Sequence, residues 1–206
     1  MSTIEVFADV SCPFTYVQLD QLMTRRTDLG LGRLAIRVRA WPLELVNDSP
    51  PDPTLIAEQV AALREQIRSP LFSSFEPRRF PTSTLPALVL AEAAYRKDAA
   101  TGEQVSLSLR RALFTQGQDI SKPALLAEIA ETFALKSTGT GERDGVLADW
   151  RAGQSRDVEG SPHCFCGDLS AFSPGLQISK DDGTIRVKST TSALDAFLTS
   201  CDESDA

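Results

Sequence analysis

Cys12 is the residue of this chain whose type and position best suit chemistry. It stands in the segment DVSCPFTY, residues 9–16, after a short apolar run and directly before Pro13. Proline is favoured in the first turn of a helix, because its fixed φ suits the helix and no N–H is needed there. The free N–H groups and positive dipole end of such a helix stabilise a thiolate, the nucleophilic form of cysteine. The pattern predicts a reactive sulfur, with an inert buried cysteine as the alternative.

Thr15 stands three residues after Cys12, where many redox proteins carry a second cysteine. In a Cys-x-x-Cys motif the second thiol releases a mixed disulfide by intramolecular attack. A threonine hydroxyl cannot do this. It can donate a hydrogen bond to the Cys12 sulfur across one helical turn, or Thr15 is simply a small polar helix residue. The motif therefore favours chemistry with a single thiol.

Two more cysteines and the single histidine lie together in the segment SPHCFCGD. Cys164 and Cys166 are two residues apart on a predicted strand, so their side chains share one face. Cys164 is a candidate for the resolving thiol that Thr15 cannot be; more simply, both cysteines fill the core. His163 faces the opposite side of the strand from Cys164. It is either a locally hydrogen-bonded residue or a base for Cys12. No metal site is expected, because C-x-C beside a histidine is not a usual zinc spacing.

The composition is that of a soluble globular protein and argues against some classes of partner. The chain has 206 residues, and 21 basic against 28 acidic side chains give a formal charge of −7. An acidic protein is not drawn to nucleic acid or to anionic lipid. No apolar run is long enough to span a membrane, and TIEVFADV is typical of a strand rather than a secretory signal. We expect a cytoplasmic protein with reduced cysteines, no nucleic-acid partner and no membrane association.

Strand and helix patterns indicate how Cys12 is positioned. TIEVFADV and RLAIRVRAWPL predict two strands, and residues 13–26 between them predict a helix, so we expect a parallel pair with a right-handed crossover. From about residue 54 to residue 150 the apolar spacing is mostly helical, with STGTGERDG as a loop before a short helix. Strand patterns return after residue 157 in SPHCFCGD and TIRVKS. SALDAFLTSC, which carries Cys201, closes the chain as an amphipathic helix.

Five segments, taken with this order of elements, point to a known family. They are DVSCPFTY, WPLELVN, FPTSTLPALVLAEAAY, LFTQGQDISKPALLAEIAE and VEGSPHCF. Together they resemble the DsbA family of thioredoxin-fold proteins, in the branch of FrnE-like oxidoreductases, 2-hydroxychromene-2-carboxylate isomerases and kappa-class glutathione transferases. The resemblance implies an α/β thioredoxin fold with a mixed central sheet and a large all-helical insertion. Residues 1–48 plus 155–206 would form the thioredoxin-like domain, and residues 49–154 the insertion.

The resemblance also implies roles for individual residues. Cys12 matches the active cysteine of the family, and Ser161 and Pro162 match the cis-proline loop that faces it and pairs with an extended substrate or a thiol tripeptide. Ser83 matches a helix start near bound glutathione, or is a helix cap; Trp41 matches a wall of the site, or is a core residue. The implied catalytic positions are Cys12, Thr15 and Pro162, and the implied substrate- or thiol-binding positions are Ser11, Pro13, Phe14, Trp41, Ser83, Ser161 and His163.

Two departures from the family pattern leave three functions open. Thr15 replaces the second cysteine of dithiol oxidoreductases, and Cys12 stands where the isomerases and kappa transferases usually have serine. The first function is a cytoplasmic thiol-disulfide oxidoreductase with one active cysteine. The second is a thiol-dependent transferase or isomerase, and the third is a non-catalytic binding module.

The expected partners follow from these functions. They are a protein or small-molecule thiol or disulfide, and a low-molecular-weight thiol such as glutathione or mycothiol. No tightly bound cofactor is expected. The sequence leaves the oligomeric state open, a homodimer included.

Overall fold

The computed structural model of the protein describes residues 2–136 and 139–203, and its elements follow the predicted order of strands, helices and strands. The strands are β1 (Thr3–Ala8), β2 (Ala35–Ala40), β3 (His163–Cys166), β4 (Leu169–Phe172), β5 (Leu176–Asp181) and β6 (Thr184–Ser189). The helices are α1 (Pro13–Asp28), α2 (Leu43–Val46), α3 (Pro53–Gln66), α4 (Leu85–Lys97), α5 (Ala99–Arg110), α6 (Pro123–Thr132), α7 (Thr140–Ser155) and α8 (Thr191–Glu203). Among the described residues, no helix has the length and apolar character needed to cross a membrane.

A four-stranded mixed sheet in the order β2-β1-β3-β4 carries the candidate site. β1 and β2 are parallel, with Ile4 opposite Ile36, and α1 joins them as the alternating pattern predicts. β3 runs antiparallel to β1, and β4 runs antiparallel to β3. This arrangement confirms the predicted α/β fold with a mixed thioredoxin-like sheet.

The described residues between β2 and β3 form helices joined by turns and loops, with no strand among them, which confirms the predicted helical insertion. α4, α5 and α7 pack against β2, so the insertion is docked on the edge of the sheet. Arg39 of β2 donates to the Asp149 carboxylate of α7 at 2.7 Å. The Val38 N–H donates to the Tyr95 hydroxyl of α4 at 3.0 Å. The boundaries of the two domains, at residues 48/49 and 154/155, stay a prediction.

Neighbouring residues of β1 and β3 face opposite sides of the sheet, so each side has its own core. Val6 and Cys164 belong to one cluster, in which the strands pack against α1 and α8; we call it the sheet core. Phe7 and Phe165 face the other side, where they pack with Trp41 in what we call the aromatic cluster.

A third cluster, which we call the helical core, joins the start of α1 to the insertion. Phe14 and Tyr16 of α1 pack there with residues of α3, α4 and α5, among them Leu63 and Leu109. The Tyr16 ring stacks on Phe114 with the ring centroids 5.8 Å apart. Because Cys12 belongs to this cluster, the helical insertion forms one side of its surroundings.

The structure differs from the sequence pattern in two regions. α7 begins at Thr140, although the sequence predicts a loop to about residue 145; residues 137–138 of that loop lie outside the described residues. The Glu142 carboxylate accepts a hydrogen bond from the Gly139 N–H at 2.7 Å, and this cap explains the early start. Neither β4 nor β5 follows from the sequence pattern. β4 is a largely exposed edge strand, and β5 pairs only with β6 in a hairpin that packs on α3.

Candidate active site

Cys12 occupies the N-cap of α1, with Pro13 at the first helical position. Its backbone is extended, at φ −81° and ψ 116°, and its carbonyl accepts from the Tyr16 N–H. The sulfur therefore lies at the helix N-terminus that the sequence predicts. The thiol donates to the Ser161 carbonyl oxygen at 3.0 Å. Cys12 is 5% exposed, so a small part of its surface still reaches solvent.

The loop before β3 faces Cys12 through Ser161, and the Ser161–Pro162 peptide bond is cis. The Ser161 hydroxyl accepts from the Asp9 N–H at 3.0 Å and bonds with the Thr15 hydroxyl at 2.8 Å. Of the two alternatives for Thr15, the bond to the Cys12 sulfur is not formed, because its hydroxyl bonds with Ser161 instead. Thr15 holds the loop in place rather than touching the reactive atom.

Asp9 is a buried carboxylate beneath the site, and the sequence analysis did not single it out. It accepts from the Ser11 N–H and hydroxyl, each at 2.8 Å, from the Leu43 N–H at 2.8 Å and from the Thr84 hydroxyl at 3.0 Å. Burial raises the pKa of Asp9, and these hydrogen bonds act in the opposite direction. Asp9 thus ties the end of β1 to the starts of α1, α2 and α4.

Arg110 supplies a buried positive charge next to this loop. It is 1% exposed, and its guanidinium donates to the Asp9 carbonyl at 3.1 Å and to the Ser106 hydroxyl at 2.7 Å. Burial lowers the pKa of Arg110 to about 10, against the opposing effect of negative charge on Asp9 and Cys12. Arg110 remains protonated at neutral pH, so it places a positive charge near the Cys12 sulfur. In the sequence, only the position of Arg110 on the apolar face of α5, within SLSLRRALF, indicates that it is buried.

Ser83 lies at the start of α4, where Glu44 of α2 supplies most of the cap. The Glu44 carboxylate accepts from the Ser83 hydroxyl at 3.0 Å, the Thr84 N–H at 2.7 Å and the Leu85 N–H at 3.1 Å. The Ser83 hydroxyl also accepts from the Leu85 N–H at 3.3 Å, so Ser83 acts within the cap as the sequence suggests. Its side chain borders a groove of about 1040 Å³ between α4, α6 and the start of α7.

The other residues of the expected binding set differ in where they lie. Pro13 and Phe14 continue from Cys12 at the start of α1 and are buried, and Ser11 is buried against Asp9. Trp41 packs in the aromatic cluster with Phe7 and Phe165, so the structure places it as a core residue.

His163 also lies on the aromatic side of the sheet. Its Nδ1 accepts from the Glu159 N–H at 3.1 Å, and its Nε2 bonds with the Ser170 hydroxyl at 2.8 Å. The ring stacks on Phe165 with centroids 4.4 Å apart. Burial lowers the pKa of His163. Both ring nitrogens are engaged locally, which matches the locally hydrogen-bonded alternative rather than a base for Cys12.

Cys164 and Cys166 lie in the sheet core together with Cys201 of α8, whereas Cys12 lies in the helical core. Cys164 is fully buried, and burial raises its pKa to about 12. The structure therefore does not bring Cys164 into the Cys12 cluster. All four cysteines are present as thiols.

Comparison with known proteins bears on this geometry. The model of the DSBA-like thioredoxin domain matches residues 3–179. The chain belongs to the DsbA-like thioredoxin family. No curated protein matches it in sequence.

Solved structures similar to this DsbA-like protein show the same fold. DsbM, a cytosolic disulfide reductase from Pseudomonas aeruginosa, is 17% identical over 96% of this chain and 97% of its own, with a TM-score of 0.55; it has also been solved with GSH. A protein from Nitrosomonas europaea, proposed to be a protein disulfide isomerase, is 13% identical over 100% and 99%, with a TM-score of 0.67. A 2-hydroxychromene-2-carboxylate isomerase is 17% identical over 82% and 88%, with a TM-score of 0.59. At these identities the similarity establishes the fold of the DsbA-like protein and leaves its reaction open.

Proposed function

We propose that this protein is a cytoplasmic thiol-disulfide oxidoreductase that works through one cysteine, Cys12. One observation carries the proposal: the Cys12 sulfur, at the start of α1, lies 3.0 Å from the Ser161 carbonyl oxygen of the loop before Pro162. The helix N-terminus and the buried charge of Arg110 both favour a sulfur anion there. Membership of the DsbA-like family, with a cytosolic disulfide reductase among the similar structures, supports the same class of reaction.

The reaction has two exchange steps. The Cys12 thiolate attacks one sulfur of a disulfide RS–SR′, which forms the mixed disulfide Cys12–S–SR and releases R′S⁻. An external thiol then attacks the R sulfur, which forms a new disulfide and returns the Cys12 thiolate. In the resting protein the thiol donates to Ser161, so this carbonyl must release the sulfur when a disulfide approaches. The freed carbonyl can then accept a hydrogen bond from the substrate.

An external thiol, rather than Cys164, is the resolving group in this proposal. Cys164 is fully buried in the sheet core, and its pKa of about 12 leaves almost none of it as thiolate at neutral pH. A low-molecular-weight thiol such as glutathione or mycothiol suits the limited exposure of Cys12, because its free thiol is small. We propose no tightly bound cofactor.

The remaining residues of the site divide by position in this proposal. Pro13 and Phe14 flank the sulfur, and Ser161 and Pro162 face it. Ser11, Thr15, Trp41 and His163 support the site from within, and Ser83 borders the groove beside α4.

Intact-mass analysis with site mapping tests the proposal. After brief exposure of the native protein to oxidised glutathione, we expect one glutathione adduct, mapped to Cys12 and absent in Cys12→Ser. Cys164→Ser is the matched control and keeps the adduct. Reduced glutathione then removes it, and the protein catalyses reduction of a small disulfide over many turnovers. Adducts spread evenly over the four cysteines, or turnover that persists in Cys12→Ser, would contradict the proposal.

A thiol-dependent transferase or isomerase is the second candidate, and the groove beside Ser83 favours it. The groove is lined by apolar side chains such as Leu85, Val89 and Leu126. Its charged lining residues are Arg143, Lys136 and Glu131, two cations against one carboxylate, so it suits an aromatic acid. This function predicts saturable binding of reduced glutathione, measured by calorimetry, and activity that survives Cys12→Ser. Absence of binding at millimolar glutathione would remove this candidate.

A further inference from the structure

α6 is rich in apolar side chains, yet none of its residues is buried. Leu125, Leu126 and Ile129 are only partly covered, where they pack against the helical core. The other long helices of the insertion, α3, α4, α5 and α7, each bury several residues. Burial of apolar surface is the dominant favourable term in folding and association, so an apolar group that packs on α6 is stabilised there.

The surface that α6 leaves uncovered forms one wall of the groove beside Ser83, which we call the α4–α6 groove. α4 contributes Leu85, Pro86, Val89 and Leu90 to its lining, and α6 contributes Pro123, Leu126, Ala127 and Ala130. Residues three or four apart lie on one face of a helix, so an apolar face of each helix borders the groove. The described lining residues include no aromatic side chain, so the walls offer aliphatic contacts and no ring for stacking.

The elements around the α4–α6 groove are tied together at the end of α4. The Lys97 ammonium donates to the Phe133 carbonyl, just after α6, at 2.8 Å. The Arg96 guanidinium donates to the Gly141 carbonyl in the first turn of α7 at 2.6 Å. These bonds hold α6 and α7 against α4, so the groove is part of the fold. Its volume of about 1040 Å³ is large enough for a small apolar ligand.

The charge of the α4–α6 groove is opposite in sign to that of the whole chain. Its charged lining residues are Arg143, Lys136 and Glu131, two cations against one carboxylate. The chain as a whole has 21 basic and 28 acidic residues. Among the residues that the structure describes, Arg143 pairs with no carboxylate, so its charge is available to an anion. A ligand that complements the groove is therefore apolar over most of its length and carries a negative charge.

We propose that the α4–α6 groove binds an aliphatic carboxylate, such as a medium-chain fatty acid. The chain lies between the apolar faces of α4 and α6, and the carboxylate meets Arg143 and Lys136. An aromatic acid, the occupant that the second candidate function expects, gains less because no ring lines the groove. Neither Cys12 nor Ser161 lines it, so this binding does not rest on the reaction proposed for Cys12.

Calorimetric titration of the full-length protein tests the proposal, after bound lipid has been removed. Hexanoate, octanoate and decanoate are compared at pH 7.5, below the concentrations at which they form micelles. We expect one molecule to bind per chain, with an affinity that rises about four-fold for each added methylene, as burial of that group predicts. Octanol has the same chain as octanoate without the charge and should bind at least about five-fold more weakly, because the charge-assisted hydrogen bonds are lost.

Two pairs of exposed positions supply matched variants. Ala127→Glu places a carboxylate in the groove and should weaken decanoate binding at least about ten-fold, whereas Ala124→Glu, on α6 but outside the lining, should not. Arg143→Gln should weaken octanoate binding about five-fold and leave octanol binding unchanged. Arg151→Gln, two turns further along α7 and outside the lining, should leave both unchanged.

Several results would overturn the proposal. They are no saturable binding of decanoate at millimolar concentration, an affinity independent of chain length, equal affinities for octanoate and octanol, and equal loss in the two glutamate variants. Tighter binding of 1-naphthoate than of decanoate would also overturn it and would support the second candidate function instead. Thermal unfolding of each variant shows whether it is folded, and the Arg143→Gln comparison decides the matter even if Ala127→Glu does not fold.

Discussion

Cys12 and Cys164 are both buried cysteines, but their surroundings differ in kind. Cys12 lies at a helix N-terminus, bonded to the Ser161 carbonyl and close to the charge of Arg110. Cys164 lies fully buried among apolar side chains such as Val6 and Leu194, and burial alone raises its pKa. Under the proposed function, burial therefore does not decide whether a thiol reacts. The groups that can meet the charge of the thiolate decide it.

Cysteine replacement gives the largest expected contrast between the two sites. Cys12→Ser should lower disulfide reduction to the uncatalysed rate, because the nucleophile is lost. Cys164→Ser should keep the catalytic rate and change only stability, since its thiol lies in the sheet core. Turnover of a small disulfide with glutathione, measured beside thermal unfolding, checks both outcomes. Equal loss of turnover in the two variants would remove the distinction.

The pH dependence of alkylation gives the next contrast. A shift of the Cys164 pKa from 9.0 to about 12 lowers its thiolate fraction at pH 8 by about 10³-fold. Native Cys164 should therefore stay unlabelled by iodoacetamide between pH 7 and pH 10, with labelling only on unfolding. Because the folded pKa of this acid lies above its unfolded value, raising the pH past 9 also favours the unfolded state, and stability should fall there. Labelling in the native protein at pH 8, at a rate independent of urea, would contradict this prediction.

The positions of Cys12 and the loop could be predicted from sequence because their signals are local. An alternating strand, a cysteine and a proline in residues 3–13 predict the β1–α1 junction. The resemblance to DsbA proteins then places Ser161 opposite Cys12. Placing Cys164 with Cys201 requires knowledge of how α8 packs on β3, which no local pattern contains.

The polar support of the site could not be predicted for the same reason. Arg110 and Asp9 are 101 residues apart in sequence, and Glu44 and Thr84 are 40 apart. Each looks like an ordinary polar residue until the tertiary structure buries it. Asp9 directly follows the apolar strand β1. Its burial is therefore the one feature of this polar support that the sequence pattern could have indicated. β4 and β5 were not predicted because most of their residues are exposed. Their sequences therefore lack a clear alternation of buried apolar and exposed polar residues.

Substitution of Arg110 tests whether its buried charge is what makes the surroundings of Cys12 differ from those of Cys164. In Arg110→Met the cation near Cys12 is lost, and alkylation of Cys12 at pH 7 should slow by about ten-fold, because the reacting sulfur loses a nearby opposite charge. Arg110→Lys keeps the charge and should slow it by less than about three-fold. Removing one partner of a buried ion pair also destabilises a protein by about 3–5 kcal/mol, and Arg110 lies near the buried charge of Asp9. The pH profile of alkylation separates the two effects, because only a lost charge shifts the profile to higher pH. A profile for Arg110→Met that matches the wild type would assign Arg110 to folding alone.

Thr15 gives the smallest contrast, because it acts on the loop rather than on the sulfur. Its hydroxyl bonds with the Ser161 hydroxyl at 2.8 Å, and the same Ser161 oxygen also receives the Asp9 N–H. Thr15→Val keeps the shape but removes one hydrogen bond, worth about 0.5–1.5 kcal/mol, so we expect turnover to fall by roughly three- to ten-fold. Thr15→Ser restores the hydroxyl and should stay within about two-fold of the wild type. Thr15→Ser keeps the bond to Ser161 and Thr15→Val loses it. Comparing the two variants therefore measures the effect of this bond on the loop separately from any effect on the Cys12 thiol. If Thr15→Val shifts the pH profile of Cys12 alkylation while turnover at saturating pH is unchanged, the hydroxyl acts on the sulfur after all, and the loop-positioning role assigned here is wrong.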